Sequence, residues 1–196
     1  LEQGLSARTV ELDKEDRKAV HDLHLLTDKP VLYVCNVDEK SAVTGNAYTE
    51  AVKRAIADEK AEMLVIAAAT EADIAELAEM DPDEAKEYME ALGLTDSGLA
   101  RLIREAYHLL GLQSYFTSGE TETRAWTIPV GAKAPQAAGK IHSDIERGFI
   151  RAEVIAYEDM IACGSVNAAK EKGLLRSEGK EYVVQDGDMV YFRFNV

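Results

Sequence analysis

The strongest constraint in the sequence is an apolar segment that leads directly into a polar loop. Residues 30–35 read Pro-Val-Leu-Tyr-Val-Cys, and the tetrad Asn-Val-Asp-Glu follows at residues 36–39. A short apolar run rich in β-formers, placed after a proline, is typical of a buried strand. Ligands in open α/β sheets bind at the carboxyl ends of such strands. We therefore predict a central parallel strand over residues 30–36, whose polar end can read the hydrogen-bonding edge of a purine base.

The segments that follow this strand predict an α/β arrangement. Residues 47–58 have the apolar periodicity of a helix, and residues 63–67 form a second apolar run. The order strand, helix, strand gives a right-handed unit with parallel pairing. We expect a partial parallel sheet with helices, of the type found in P-loop NTPases.

Capping residues predict further helices in this part of the chain. Asp81 followed by Pro82 is a strong helix start, and Gly93 is expected to end that helix. Three more helices are predicted, at residues 13–27, at residues 71–79, and from Asp96 or Ser97 to Gly111.

The faces of these helices are also predicted. Residues 71–90 contain nine acidic residues against the single Lys86, which is typical of a solvated surface. The helix that ends near Gly111 is expected to turn six apolar side chains inward: Leu99, Leu102, Ile103, Ala106, Leu109 and Leu110.

After Gly111 the sequence changes to short alternating segments separated by glycine turns. This pattern predicts a compact α+β module of about 85 residues. Its strands are predicted at residues 113–117, 125–130, 149–156 and 189–196, and its helices near residues 135–146, where Gly139 caps a helix end, and residues 165–172.

The charge is distributed unevenly along the chain. The net charge is −14; residues 1–111 carry 12 basic and 24 acidic side chains, and residues 112–196 carry 10 and 12. The acidic first part repels a phosphate backbone. Any contact with RNA is therefore expected to use cations of the second part, for which the candidates are Lys133, Lys140, Arg147 and Arg151, with Lys170 and Lys172.

The cysteines and the hydropathy of the chain bear on metal binding, compartment and membrane contact. Cys35 and Cys163 belong to no Cys-x-x-Cys pair, so we predict no zinc site and interpret them as buried thiols of a cytoplasmic protein. No apolar run reaches the length of about 18 residues that a membrane helix needs, so no membrane contact is expected.

The polar loop after the first strand favours a purine. Guanine offers two hydrogen-bond donors, and one carboxylate can accept from both. In guanine-specific loops this carboxylate is an aspartate that lies two residues beyond an Asn-Lys pair. Here Val37 follows Asn36 and Glu39 occupies the aspartate position, so specificity is expected to relax or to switch towards ATP. Ala68 and Ala69 follow the second strand, where small side chains let backbone N–H groups approach the base.

The sequence lacks the elements that would bind phosphate. Residues 134–141, Ala-Pro-Gln-Ala-Ala-Gly-Lys-Ile, lack the first glycine and the final serine or threonine of a phosphate-binding loop. His142 is followed by Ser143 and Asp144, but neighbours in sequence do not make a catalytic triad, whose geometry comes from the fold. His21 and His24 have no evident third ligand. We predict no catalytic residue and no metal site in this chain.

Four long segments of the chain resemble the YchF family of P-loop NTPases, also called Obg-like ATPases or EngD. The segment at residues 25–39 reads LLTDKPVLYVCNVDE, and the one at residues 71–77 reads EADIAEL. The third segment covers residues 111–160. The fourth reads EGKEYVVQDGDMVYFRFNV and covers residues 178–196, at the end of the chain.

The resemblance implies a domain organisation. Residues 1–27 are similar to the end of a helical, coiled-coil insertion, and residues 28–111 to the carboxyl-terminal half of a GTPase-like nucleotide-binding domain. Residues 112–196 are similar to a TGS domain, which has the ubiquitin-like β-grasp fold. The phosphate loop and the magnesium ligands would lie ahead of residue 1, so we expect the chain to be part of a larger enzyme.

The resemblance also implies a function. The family hydrolyses ATP, and GTP more weakly, with Mg²⁺, and it associates with ribosomes. Its base-reading positions fall on Asn36, Val37, Glu39, Ala68 and Ala69. This chain alone is expected neither to hydrolyse nor to bind nucleotide tightly, and its unpaired sheet edge favours self-association.

Two alternatives to a nucleotide-binding chain stay open. The first is a non-catalytic module that binds RNA or the ribosome, in which the first part is a scaffold. The second is an α/β protein of the response-regulator type, which needs acidic residues clustered at strand ends, where only Asp38 and Glu39 are present.

Overall fold

The chain divides into two compact units, each with its own core. The computed structural model describes residue 2, residues 4–119 and residues 122–195. The first unit is Leu1–Leu110 and the second is Gly111–Val196. Within this described part, no helix is both long and apolar enough to cross a membrane.

The first unit is built on two strands that lie parallel in register. Leu32 is opposite Glu62 at one end of the pair, and Asn36 is opposite Ile66 at the other. The predicted parallel pairing is therefore confirmed. The elements described in this unit are α1 Lys14–His21, β1 Leu32–Asn36, α2 Ala47–Ala55, β2 Glu62–Ile66, α3 Ala68–Met80, α4 Pro82–Ala91 and α5 Gly98–Leu109, with 3₁₀ turns at Ala7–Thr9, Leu26–Asp28 and Glu39–Ser41.

Short polar side chains cap the helices of the first unit. The Asp81 carboxylate accepts hydrogen bonds from the backbone N–H groups of Asp83 and Glu84, which confirms the predicted start of α4. Asn46 caps α2 in the same way and exchanges hydrogen bonds with Thr49 as a capping box. These caps satisfy N–H groups that have no partner within their own helix.

Two of the predicted helices have different bounds in the structure. The helix predicted over residues 13–27 ends at His21, because the chain turns there and His24 adopts a left-handed backbone with φ of 47°. The helix predicted over residues 71–79 begins earlier, at Ala68, since the Asn36 side chain from β1 accepts the hydrogen bond of the Ala68 N–H.

The sheet of the first unit is partial, and one prediction about burial in this unit is wrong. Among the described residues β1 pairs with β2 alone, as expected of a partial sheet, so one edge of β1 is unpaired. Along α5, Leu99, Ile103 and Leu110 are exposed rather than turned inward. The apolar arc of α5 is wider than the surface that two strands offer, so only part of it is covered.

The second unit is a mixed five-stranded sheet in its described residues. Its strand order is β4-β3-β7-β5-β6, and every neighbouring pair is antiparallel except β3 and β7. Its elements are β3 Leu112–Ser118, β4 Thr123–Pro129, α6 Ala134–Ile141, α7 Ser143–Arg147, β5 Phe149–Ile155, α8 Tyr157–Cys163, α9 Val166–Glu171, β6 Arg176–Glu178 and β7 Met189–Phe194.

The structure corrects the helix predicted near residues 135–146. The chain extends at His142, with φ of −161°, and so forms two helices, α6 and α7. Gly139 lies inside α6 instead of capping its end. A Cβ atom at this position would contact the Glu146 side chain of α7, which would have to move.

The remaining differences in the second unit concern strands and a helix. The strand predicted over residues 149–156 ends at Ile155, and the last strand is described to Phe194, while Val196 lies outside the described residues. Two elements, α8 and β6, were not predicted. The three residues of β6 are too few to show an alternating pattern.

The core of the second unit lies between the sheet and α6. Alanines of α6, including Ala137, pack against the fully buried Tyr115 and Val154. The Tyr115 hydroxyl donates a 2.8 Å hydrogen bond to the Ala137 carbonyl oxygen, and burial raises the pKa of the tyrosine. This core holds the sheet against α6 and fixes which strand residues face outward.

Candidate functional site

The carboxyl ends of β1 and β2 meet at one edge of the parallel pair. The Ala68 N–H donates a 3.0 Å hydrogen bond to Asn36 Oδ1, which joins the two strand ends. The Val37 N–H donates to the Ile66 carbonyl oxygen at 2.8 Å, so the pairing continues one residue beyond β1. Asn36, Val37 and Ala68 are therefore brought together, with Ala69 next in the first turn of α3.

The two carboxylates of the loop have different environments. Asp38 accepts a 3.0 Å hydrogen bond from the Ser41 N–H and caps the 3₁₀ turn, and hydrogen bonding to Ser41 lowers the pKa of the aspartate. Glu39 is exposed, and its Oε2 lies 3.5 Å from the Tyr88 hydroxyl, which is a weak contact. Glu39 is thus the carboxylate that keeps acceptor capacity for a ligand.

An apolar groove opens beside this edge of the sheet. Its volume is about 540 Å³, and Ile66 and Ala68 line it together with side chains of α3, α4 and α5. Glu71, Lys86 and Ser97 add polar atoms to an otherwise apolar lining. Apolar surface combined with a few placed polar groups is the usual composition of a ligand site.

The four predicted docking cations do not form one surface. Ala152 belongs to the core that packs against α6, so its neighbour Arg151 lies on the opposite face of the sheet. Lys140 is on α6 itself and is exposed. Three of the four cations form ion pairs: Lys133 with Glu181, Arg147 with Asp144, and Arg151 with Glu153.

A charged cluster on the open face of the sheet was not predicted. Arg193 of β7 and Arg151 of β5 both bond to Glu153, at 3.0 Å each, and these hydrogen bonds lower the pKa of Glu153 against the opposing effect of burial. The Arg193 guanidinium also lies 4.3 Å from the ring centroid of Tyr191, which is exposed. Alternation along β5 and β7 would reveal this cluster only once their pairing is known.

Among the described residues, His21, His24, His142 and the two cysteines belong to no cluster of three possible metal ligands. His142 caps α7, because its Nδ1 accepts a hydrogen bond from the Asp144 N–H at 3.2 Å. The rings of His21 and His24 lie 5.8 Å apart, centroid to centroid. Cys35 and Cys163 are free thiols, as predicted, but they are half-buried and not buried.

Comparison with known proteins identifies the family. Residues 112–195 match the family model YchF-GTPase_C, described as a protein of unknown function (DUF933). The chain is 54% identical over 192 residues to the "Ribosome-binding ATPase YchF" of Bacillus subtilis (strain 168), covering 97% of this chain and 52% of that protein. The protein of the same name from Escherichia coli O157:H7 is 50% identical over 196 residues, covering 100% and 53%.

A solved structure agrees with these relatives. The structure of the Schizosaccharomyces pombe YchF GTPase matches with a TM-score of 0.81 and 33% identity, over 98% of this chain and 50% of that chain. The chain belongs to the YchF family. It spans about half the length of the YchF relatives that it matches.

In this YchF chain, the hydrogen bond from Ala68 to Asn36 gives a testable prediction. We expect Asn36→Ala to lower the free energy of unfolding of the first unit by about 0.5–1.5 kcal/mol, because the bond is lost while water still reaches Ala68. The Ala68 amide should then exchange its hydrogen faster, as measured by NMR.

Asn36→Asp is the matched control for this prediction. It keeps an oxygen acceptor at the same distance along the side chain, so the Ala68 amide should stay protected. Unchanged exchange at Ala68 in Asn36→Ala would show that Asn36 does not join the two strand ends.

Proposed function

We propose that this chain is the carboxyl-terminal half of a YchF-type P-loop ATPase that also binds GTP. In this proposal the first unit reads the purine base and the second unit docks on the ribosome. The observation that carries the base-reading role is the hydrogen bond by which Asn36 holds Ala68 at the carboxyl edge of the sheet. The names of the relatives, which are called ribosome-binding ATPases, support the remainder.

The chemistry of the edge suits adenine. The Asn36 carbonyl oxygen is occupied by Ala68, which leaves its NH₂ group to donate to an acceptor nitrogen of the purine. Val37 offers no ammonium group where guanine-specific loops have lysine. The Ala69 N–H in the first turn of α3 and backbone C=O groups near Val37 would pair with the adenine edge, because the N–H groups of Val37 and Ala68 are already bonded. Glu39 would accept from an amino group.

The same edge does not supply a site for Mg²⁺. This ion requires an octahedral set of oxygen ligands, usually one or two carboxylates with waters and phosphate oxygens. Asp38 is already engaged by Ser41, and Glu39 is a single exposed carboxylate. We propose that the phosphates and their Mg²⁺ are bound by residues of the longer YchF protein, and that this chain alone is inactive as a hydrolase.

The second unit is proposed to be a TGS domain with the β-grasp fold. Numbered within the unit, its strand order is 2-1-5-3-4, with the first and last strands parallel and a helix between the second and third. This order is the one expected for a ubiquitin-like fold and supports the assignment of residues 112–196. Residues 28–111 are then the nucleotide-binding half, and residues 1–27 the end of the helical insertion.

Two consequences accompany this proposal. A ribosome-associated chain works in the cytoplasm. The free edge of the β1–β2 pair, with the exposed Val34, favours self-association of the isolated chain.

A non-catalytic module that binds RNA or the ribosome is the second candidate. The observation in its favour is that the second unit is a compact body with its own core, as a separate docking module would be. Lys140 would contribute to such docking, because it is exposed and forms no ion pair among the described residues.

The base-reading proposal predicts the outcome of a specificity swap. The double substitution Val37→Lys with Glu39→Asp should reverse a preference for ATP over GTP by about tenfold or more, because one aspartate then accepts both guanine donors. Shifts of the Asn36, Ala68 and Ala69 amide signals during NMR titration with each nucleotide measure the two affinities.

Asp58→Glu, in the turn between α2 and β2, is the control for this experiment. It changes the length of an exposed carboxylate near the amino-terminal end of β2, opposite the proposed base site, and should leave the preference unchanged. Signals at the strand ends that respond to neither nucleotide would refute base recognition while leaving the docking proposal intact.

The docking proposal predicts salt-dependent binding of this chain to ribosomes in a co-sedimentation assay. Lys140→Glu should weaken that binding by about three- to tenfold at low salt, since it reverses a charge in an electrostatic contact. Lys53→Glu on α2 makes the same change on the first unit and should have little effect. Equal losses in both variants would indicate attraction by net charge and argue against a docking role for Lys140.

A further inference from the structure

A histidine and two glutamates lie together at the amino-terminal end of β2. Glu62 is the first residue of β2, while Glu105 and His108 are three residues apart on α5 and so share a helix face. One ligand atom from each residue lies within 4.8 Å of those from the other two. His108 Nδ1 and Glu62 Oε1 are 2.9 Å apart.

The hydrogen bonds of Glu62 leave one of its oxygens without a partner. Oε2 is buried and accepts no hydrogen bond from any described residue, although Oε1 contacts His108. A buried carboxylate oxygen without a donor is costly in free energy. A bound cation would remove this cost.

The charges around the cluster also favour a cation. Two carboxylates face one imidazole, and no lysine or arginine of the described residues forms an ion pair with Glu62 or Glu105. Arg101 lies one turn before Glu105, but its Nη2 donates to the Val65 carbonyl oxygen at 3.0 Å. The negative charge of the pair of glutamates is therefore only partly compensated.

We propose that Glu62, Glu105 and His108 bind a divalent transition-metal ion of the zinc class. One imidazole nitrogen and two carboxylate oxygens are ligands that Zn²⁺ accepts, and three protein ligands leave a position for water. Mg²⁺ prefers an all-oxygen set and is disfavoured by the imidazole. The sequence alone predicts no metal site here, because Glu62 and His108 are 46 positions apart along the chain.

This site is separate from the proposed nucleotide edge. Glu62 begins β2 and Ile66 ends it, so the two ends are roughly 13 Å apart along the strand. The metal would join the end of α5 to the start of β2, which stabilises the packing of that helix on the sheet. Its role is therefore structural, and the proposal does not depend on the proposed function.

Isothermal titration of the 196-residue chain with ZnCl₂, and separately with MgCl₂, tests the site. We expect one Zn²⁺ ion per chain and no comparable binding of Mg²⁺. His108→Gln and Glu105→Gln should each weaken Zn²⁺ binding by about tenfold or more. Zn²⁺ should also raise the melting temperature of the unaltered chain, because it binds the folded state, and should not do so in His108→Gln.

His21→Gln is the matched control, since it removes an exposed imidazole elsewhere in the first unit. Zn²⁺ binding should be unchanged in this variant. NMR of the unaltered chain gives a second test that no folding defect can confound: Zn²⁺ should shift the ring nitrogen signals of His108. Unmoved His108 signals, or a loss of binding in His21→Gln instead of His108→Gln, would overturn the proposal.

Discussion

The hydrogen bond from the Ala68 N–H to Asn36 Oδ1 joins the carboxyl ends of β1 and β2, and the proposed base-reading site depends on it. Helix α3 begins at Ala68 after Ala67, whose side chain cannot cap it, and an amide from the neighbouring strand does so instead. One side chain thereby starts a helix and fixes the spacing of two strand ends. The backbone groups proposed to read a base are held in place by the same bond.

Local signals in the sequence predict much of the fold. The parallel pairing of β1 with β2 and the capping of α4 by Asp81 follow from apolar periodicity and from the preferences of a few short polar residues. The end of α1 and the exposure of Ile103 do not, because they depend on the surface that the rest of the unit offers. Periodicity identifies an apolar face, but it cannot say how much of that face is covered.

The candidate sites also differ in how far the sequence predicts them. The sequence places Asn36 and Ala68 at the ends of adjacent parallel strands, so their proximity could be predicted. The pairing of Arg193 with Glu153 could not, since the two residues are 40 positions apart and meet only through the register of β5 and β7. The cluster around Glu62 arises in the same way, from a strand and a helix whose packing no spacing rule encodes.

The most direct test of whether this chain contacts the base and not the phosphates is to compare its binding of adenosine with its binding of ATP. If the phosphates are bound elsewhere in the YchF protein, removing them should change the affinity for this chain little, within about threefold. NMR titration of the amide signals at Asn36 and Ala68 measures both dissociation constants. Adenosine that leaves those signals unmoved, or ATP that binds about a hundredfold more tightly, would contradict the account.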